Sequence, residues 1–107
     1  MATPQLDAFQ VIADPSRRKI ISLLSEEVLT INSLTEHFEM SRPAVSKHIK
    51  ILELAGFIKI ENQGRERYCH LHSVGFEAIK DWIAYYDDFW KEKINKLHKL
   101  IETNESE

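Results

Sequence analysis

Apolar residues recur every three or four positions along most of the chain and switch to alternation only once, between Phe57 and Leu71. Leu6, Phe9 and Ile12 lie three apart, which predicts a first helix from about Gln5 to Ile12. Asp14-Pro15 reads as an N-cap followed by proline at the first helical position, where a missing N–H costs nothing. The second helix then runs to about Ser25 and turns Ile20, Ile21 and Leu24 inward. Thr30 can cap a short third helix through Phe38, with Leu34 and Phe38 facing the core. Glu39-Met40 makes a tight turn, and Ser41 caps a fourth helix that tolerates Pro43 in its first turn. Ala55-Gly56 ends it, because glycine best adopts the left-handed stop conformation.

The alternating segment predicts a hairpin. Phe57-Ile58-Lys59-Ile60-Glu61 forms one strand, Asn62-Gln63-Gly64-Arg65 turns, and Arg67-Tyr68-Cys69-His70-Leu71 returns. Ser73 can cap a last helix reaching about Glu102. The expected fold is mainly α with a small β-hairpin: a winged helix-turn-helix followed by a long C-terminal helix. Residues 30–55 form the helix-turn-helix and 57–72 the wing, within a single domain over residues 1–107. There is no repeat, low-complexity tract or linker.

The fourth helix has two distinct faces. At about 100° per residue, Val45, Ile49 and Leu52 fall in one stripe, and Arg42, Ser46, Lys47 and Lys50 in a separate polar arc. Three cations and a serine in such an arc suit phosphates and guanine edges in a major groove. A basic arc on a short helix is also what a merely solvated face looks like. The adjoining hairpin changes that reading, since Arg65 and Arg67 flank its turn and would carry cations toward the flanking backbone or minor groove. His48 falls at the edge of the apolar stripe, where packing and phosphate contact are both open to it.

Net charge, −3, argues against nucleic acid until its distribution is considered. From Phe76 onward eight acids meet five lysines, which accounts for the whole deficit, and residues 1–75 balance. Ser41 to Leu52 contains Arg42, Lys47 and Lys50 and no acid.

The C-terminal helix poses a burial problem. A rod of about thirty residues is near 45 Å long, against a radius of gyration of about 13 Å for a domain of this size. Its large apolar groups include Phe76, Ile79, Trp82, Ile83, Tyr86, Phe89, Trp90, Ile94, Leu97, Leu100 and Ile101, most of them on one broad face. Leaving that face in water forgoes roughly 1.5–3 kcal/mol per large side chain. A second copy would cover it, with Leu6, Phe9 and Ile12 closing the interface; folding back as intramolecular core is the competing solution. On this reading residues 1–13 and 73–102 are dimerisation helices, and the expected interface is Leu6, Phe9, Ile12, Trp82, Tyr86, Phe89, Trp90, Ile94, Leu97 and Ile101. Two recognition helices would then stand about one DNA turn apart, as a two-fold operator requires.

Several stretches resemble a known family. Phe9 through Ile21, Ser41 through Gly56 and Gly64-Arg65-Glu66-Arg67-Tyr68 are similar to the opening, recognition helix and wing of ArsR-type winged-helix repressors. The resemblance implies that Ser41, Arg42, Ser46, Lys47 and His48 lie at the DNA, and that Gly64 to Arg67 touch its backbone. It also implies a homodimer on an inverted repeat near a promoter, usually a repressor released by a signal.

Many members of that family bind metals, which raises the question of ligands in this chain. The family's thiolate site needs closely spaced cysteines in the third helix, and Ile31 to His37 has none. Its other site needs Asp-x-His on the last helix; Asp81-Trp82-Ile83 lacks the histidine, and the His98/Glu102 pair reads as an exposed contact. Cys69-His70-x-His72 is the only ligand-like cluster, but a strand would point Cys69 away from the two histidines. No metal or cofactor is expected, which places the chain in the non-metal-sensing subgroup. As a redox sensor Cys69 has only Arg67 or the histidines to stabilise a thiolate. No glycine-rich phosphate loop or nucleophile–base–acid arrangement is visible, so no enzyme is expected.

One cysteine permits no internal disulfide, no apolar run approaches a membrane span, and the N-terminus lacks signal-peptide character. A cytoplasmic protein is expected. The leading reading is a homodimeric repressor of double-stranded operator DNA, with no membrane partner and an effector the sequence does not name. Two alternatives stay open: a protein–protein adaptor using the aromatic C-terminal helix, and a ligand-gated regulator with an organic effector in the dimer cleft.

Overall fold

The computed structural model describes residues 6–105, and the side chains of residues 6–103. Part of the first predicted helix, Gln5, lies outside the described residues. In order, the elements are α1 (Ala8–Ile12), α2 (Pro15–Glu26), β1 (Leu29–Thr30), α3 (Ile31–Glu36), α4 (Arg42–Leu54), β2 (Ile58–Gln63), β3 (Glu66–Leu71), a 3₁₀ turn (Val74–Phe76) and α5 (Glu77–Glu105). The chain forms two compact units, the first ending at Glu77 and the second beginning at Ala78.

Local side-chain chemistry starts the helices of the first unit. The Asp7 carboxylate accepts from Phe9 N, and that of Asp14 from Ser16 N and Arg17 N. Thr30 Oγ1 accepts from Ser33 N and Ser41 Oγ from Ala44 N, so the predicted caps at 14, 30 and 41 are all present. At the end of α4, Gly56 takes φ +83°, the left-handed stop expected there.

Helices and sheet share one core. Val11, Ile20, Leu24, Ile31, Leu34, Val45, Ile49, Leu52, Phe57, Ile58 and Cys69 are all buried. Burial on this scale, about 1.5–3 kcal/mol per large side chain, drives α2, α3 and α4 against one another and against the sheet. Phe38 is only half-buried and sits under the Lys19 ammonium, 4.7 Å from its ring centroid.

The sheet has three antiparallel strands in the order β1-β3-β2, so the expected hairpin gains a strand. Leu29 and Ile60 both pair with Cys69, which places the thiol in the centre of the sheet's buried face. Gln63 pairs with Glu66, leaving Gly64 and Arg65 as a two-residue loop. Gly64 has φ +63° and no non-glycine residue among those described has a positive φ, the pattern of a turn with glycine at its first central position.

Two further expectations are revised. Ser73 does not cap the long helix: it precedes the 3₁₀ turn and makes no side-chain capping bond. Phe76 belongs to that turn rather than to the long helix, and meets Phe57 edge-on with centroids 4.8 Å apart.

Considered by itself, α5 is 29 residues long, or about 43 Å at 1.5 Å per residue. Trp82, Ile83, Tyr86, Phe89, Trp90, Ile94, Leu97, Leu100 and Ile101 are all exposed along it. Lys91–Asp87 and Lys96–Glu92 are i,i+4 ion pairs on this helix. None of the described helices is long and apolar enough to cross a membrane.

Candidate nucleic-acid interface

The cations of α2 and those of α4 are used differently. Arg17 donates from Nε to Val11 O at 2.6 Å and from Nη2 to Gln10 O at 3.4 Å. Arg18 Nη1 donates to Ile12 O and Ala13 O, and Lys19 Nζ to His37 O at 2.7 Å. All three therefore satisfy carbonyls at the C-terminal ends of α1 and α3, where cations also oppose the helix dipole. By contrast, Arg42, Lys47, Lys50, Arg65 and Arg67 are exposed, and no side-chain hydrogen bond or ion pair joins any of them to another described residue. Lys59 is equally uncommitted but lies on the outer hairpin face beside His70.

Two crevices connect the recognition helix to the wing. The larger, about 290 Å³, is lined by Ser46, Lys50 and Glu53 of α4, Ile60 and Arg67 of the hairpin, with Ile31 and Ile49 beneath. The smaller, about 50 Å³, is lined by Arg42, Arg65, Glu66 and Arg67 together with Ile31 and Asn32 of α3. Arg67 borders both. Hence Arg42 and Lys50, two turns apart on one helix, each share a concavity with cations of the hairpin. Such a surface offers fixed positive charge at two separated elements, the arrangement that seats a phosphate backbone.

The remaining predicted residues are placed as follows. Ser41 is exposed at the N-cap of α4, and Lys47 projects from the same helix without lining either crevice. His48 is half-buried, with Nδ1 3.3 Å from Arg17 Nη1, so it packs against the domain. Leu6 and Phe9 are exposed on or beside α1, and Ile12 is half-buried. From the sequence Asn32 carries no signal, Glu66 is part of the wing tip, and Glu53 is the acid one turn beyond the polar arc of α4. Only the tertiary approach of α3, α4 and β3 reveals that they border the cationic crevices.

Cys69 and His70 turn to opposite faces of β3. Burial pushes the Cys69 thiol up to about 11, Arg67 draws it down and Glu53 raises it further. His70 points outward, its Nε2 3.3 Å from Glu61 Oε2, close enough for an ion pair but outside hydrogen-bond geometry. His72 lies beyond the end of β3, not in the strand, and its backbone N–H donates to Phe57 O. Among the described residues no three His, Cys, Asp or Glu side chains are grouped so as to hold a metal ion.

The fold and this cationic face define a winged helix-turn-helix regulator. The sequence profile described as "Bacterial regulatory protein, arsR family" matches residues 14–59. The chain is 34% identical over 80 residues to the transcriptional repressor SdpR of Bacillus subtilis, an alignment covering 75% of this chain and 89% of that one. A solved ArsR family transcriptional regulator superposes with a TM-score of 0.72 at 37% identity, over 78% of this chain and 92% of the other. The homodimeric winged helix-turn-helix DNA-binding domain Mb0332 of Mycobacterium bovis shares the fold, with a TM-score of 0.58 at 16% identity, over 79% and 76% of the two chains. This chain belongs to the arsR family of bacterial regulatory proteins.

Proposed function

We propose that the chain is a homodimeric, cytoplasmic transcriptional repressor that binds an inverted-repeat operator and catalyses no reaction. The observation that carries this reading is the set of five cations on α4 and the wing whose side chains make no hydrogen bond or ion pair with another described residue. Arg42, Ser46, Lys47 and Lys50 enter the major groove, with Ser41 at the phosphate beside the helix start. Arg65 and Arg67 hold the flanking backbone. His48 supports α4 from behind.

Two copies join through the exposed apolar arc of α5, centred on Trp82, Tyr86, Phe89, Trp90, Ile94, Leu97 and Ile101, and Leu6, Phe9 and Ile12 of the first unit are the further residues assigned to the interface. Ten exposed large hydrophobic side chains lie on this one helix, and those of the arc represent burial that a second copy recovers at about 1.5–3 kcal/mol each. SdpR is itself a transcriptional repressor and Mb0332 is homodimeric, which supports the same assignment here. The mechanism needs no metal or cofactor.

Selection of bound sequences from random duplex DNA, run with and without divalent metals, tests it together with light scattering of the free protein. The expected results are a pseudo-palindrome with half-sites about one helical turn apart, or slightly more, and a dimer's mass. A stable monomer that enriches no sequence would instead favour an adaptor whose α5 awaits another protein.

A further inference from the structure

Each cationic crevice contains one carboxylate. Glu53 borders the larger, beside Ser46, Lys50 and Arg67, and Glu66 borders the smaller, beside Arg42, Arg65 and Arg67. Neither carboxylate makes an ion pair or hydrogen bond with another described residue. Both side chains are exposed, so neither acid is needed to neutralise a buried charge. Their positions are difficult to explain by stability, since an exposed uncommitted carboxylate contributes little to it. Toward a phosphate backbone, however, each one is repulsive.

We propose that Glu53 and Glu66 are specificity-determining residues that selectively weaken binding to unrelated DNA. This rests on the operator-binding reading above. In an operator complex, base contacts hold the duplex in one register, with phosphates on Arg42, Lys50, Arg65 and Arg67 and away from the two carboxylates. On unrelated sequence no register is preferred, so phosphates sample the whole face and meet Glu53 and Glu66 as well as the cations. Non-specific binding is almost entirely electrostatic, so a repulsive charge in the groove acts on it most strongly. Discrimination then comes partly from disfavouring the wrong partner, as repulsive elements do at other specific interfaces.

The test uses the whole 107-residue chain and isosteric Glu53→Gln and Glu66→Gln variants, titrated against two duplexes: one recovered by selection and one of random sequence. Glu92→Gln, on α5, serves as a control with the same charge change. Circular dichroism verifies that each variant keeps its helices. Each groove variant should bind random-sequence DNA about three- to tenfold more tightly at ~0.1 M salt, the effect of one unit charge per protomer a few ångströms from phosphate in a wet interface. Affinity for the selected duplex should change less, so the specificity ratio falls, while Glu92→Gln leaves the ratio unchanged. An equal gain on both duplexes, or no gain on either, overturns the proposal. Failure of the wild type to bind any duplex would instead defeat the operator-binding reading itself.

Discussion

Arg17 Nη1 lies 3.3 Å from His48 Nδ1, joining α2 to the back of the recognition helix. A guanidinium only donates, so this contact is a hydrogen bond in the tautomer whose Nδ1 carries no proton. The same guanidinium also holds Val11 O and Gln10 O at the end of α1. His48→Ala should therefore act on stability, costing about 0.5–1.5 kcal/mol in a urea melt. Its effect on DNA affinity should be smaller than that of Lys47→Ala. Arg17→Ala should cost more, about 1–3 kcal/mol, because it also leaves α1 carbonyls without their donor. Equal losses of DNA affinity in His48→Ala and Lys47→Ala would show that the histidine faces the duplex.

The wing and the end of α4 meet at Gly75. A Cβ placed there would come within 2.8 Å of the Phe57 ring and backbone nitrogen and 2.9 Å of Ala55 O. Gly75 N also donates to Gly56 O at 2.8 Å. Gly75→Ala should lower stability by about 1–3 kcal/mol, the usual cost of overpacking where backbone cannot yield. The thermal midpoint should drop by several degrees, whereas Gly64→Ala meets no atom within 4 Å and should report only backbone strain at its positive φ.

Cys69 should be chemically quiet. With its thiol pushed from 9.0 to about 11, chiefly by burial, the thiolate fraction falls about a hundredfold at neutral pH. A thiol reagent at pH 8 should modify native protein at least about a hundredfold more slowly than urea-unfolded protein. Stoichiometric modification of the native state within minutes would show that β3 opens readily.

Asp14 links stability to pH. Its burial raises the carboxyl, but hydrogen bonds from Arg17 N and Ser16 N and the charges of His48 and Arg17 outweigh that and leave it below 3.8. A depressed folded-state value means the contribution is complete above the unfolded value and is lost as pH falls below it toward the folded one. Asp14→Asn keeps a capping oxygen without the charge, so its melting deficit relative to wild type should be present at pH 6 and shrink between pH 4 and 3. Asp14→Ala should cost about 1 kcal/mol even after the charge term is gone.

Much of this architecture was legible because its signals are local. Asp14, Thr30 and Ser41 each cap with an oxygen one turn from its partner, and Gly56 stops α4 through its own backbone. Strand β1 was not, since two residues carry no periodicity and the pairing of Leu29 with Cys69 spans forty positions. Ser73 resembled a cap, yet the hydrogen bond from Gly75 N to Gly56 O accompanies a 3₁₀ turn there, so the long helix starts later. At the interface, the polar arc of α4 followed from helical spacing alone. That Arg42 meets Arg65 and Arg67 while Glu53 and Glu66 intrude is set by the angle between α4 and the hairpin, which no spacing rule encodes.

The most direct measurement is the salt dependence of binding to the selected duplex, for wild type and for an Arg42→Ala/Lys50→Ala/Arg67→Ala triple variant. A Lys91→Gln/Lys96→Gln/Lys99→Gln variant removes the same charge from α5. Each lost phosphate contact lowers the log–log slope by about one, so the groove variant of a dimer should lose about six from its slope and bind far more weakly, while the α5 variant keeps both. Equal slopes and affinities in all three proteins would mean that DNA is not held by the recognition helix and wing.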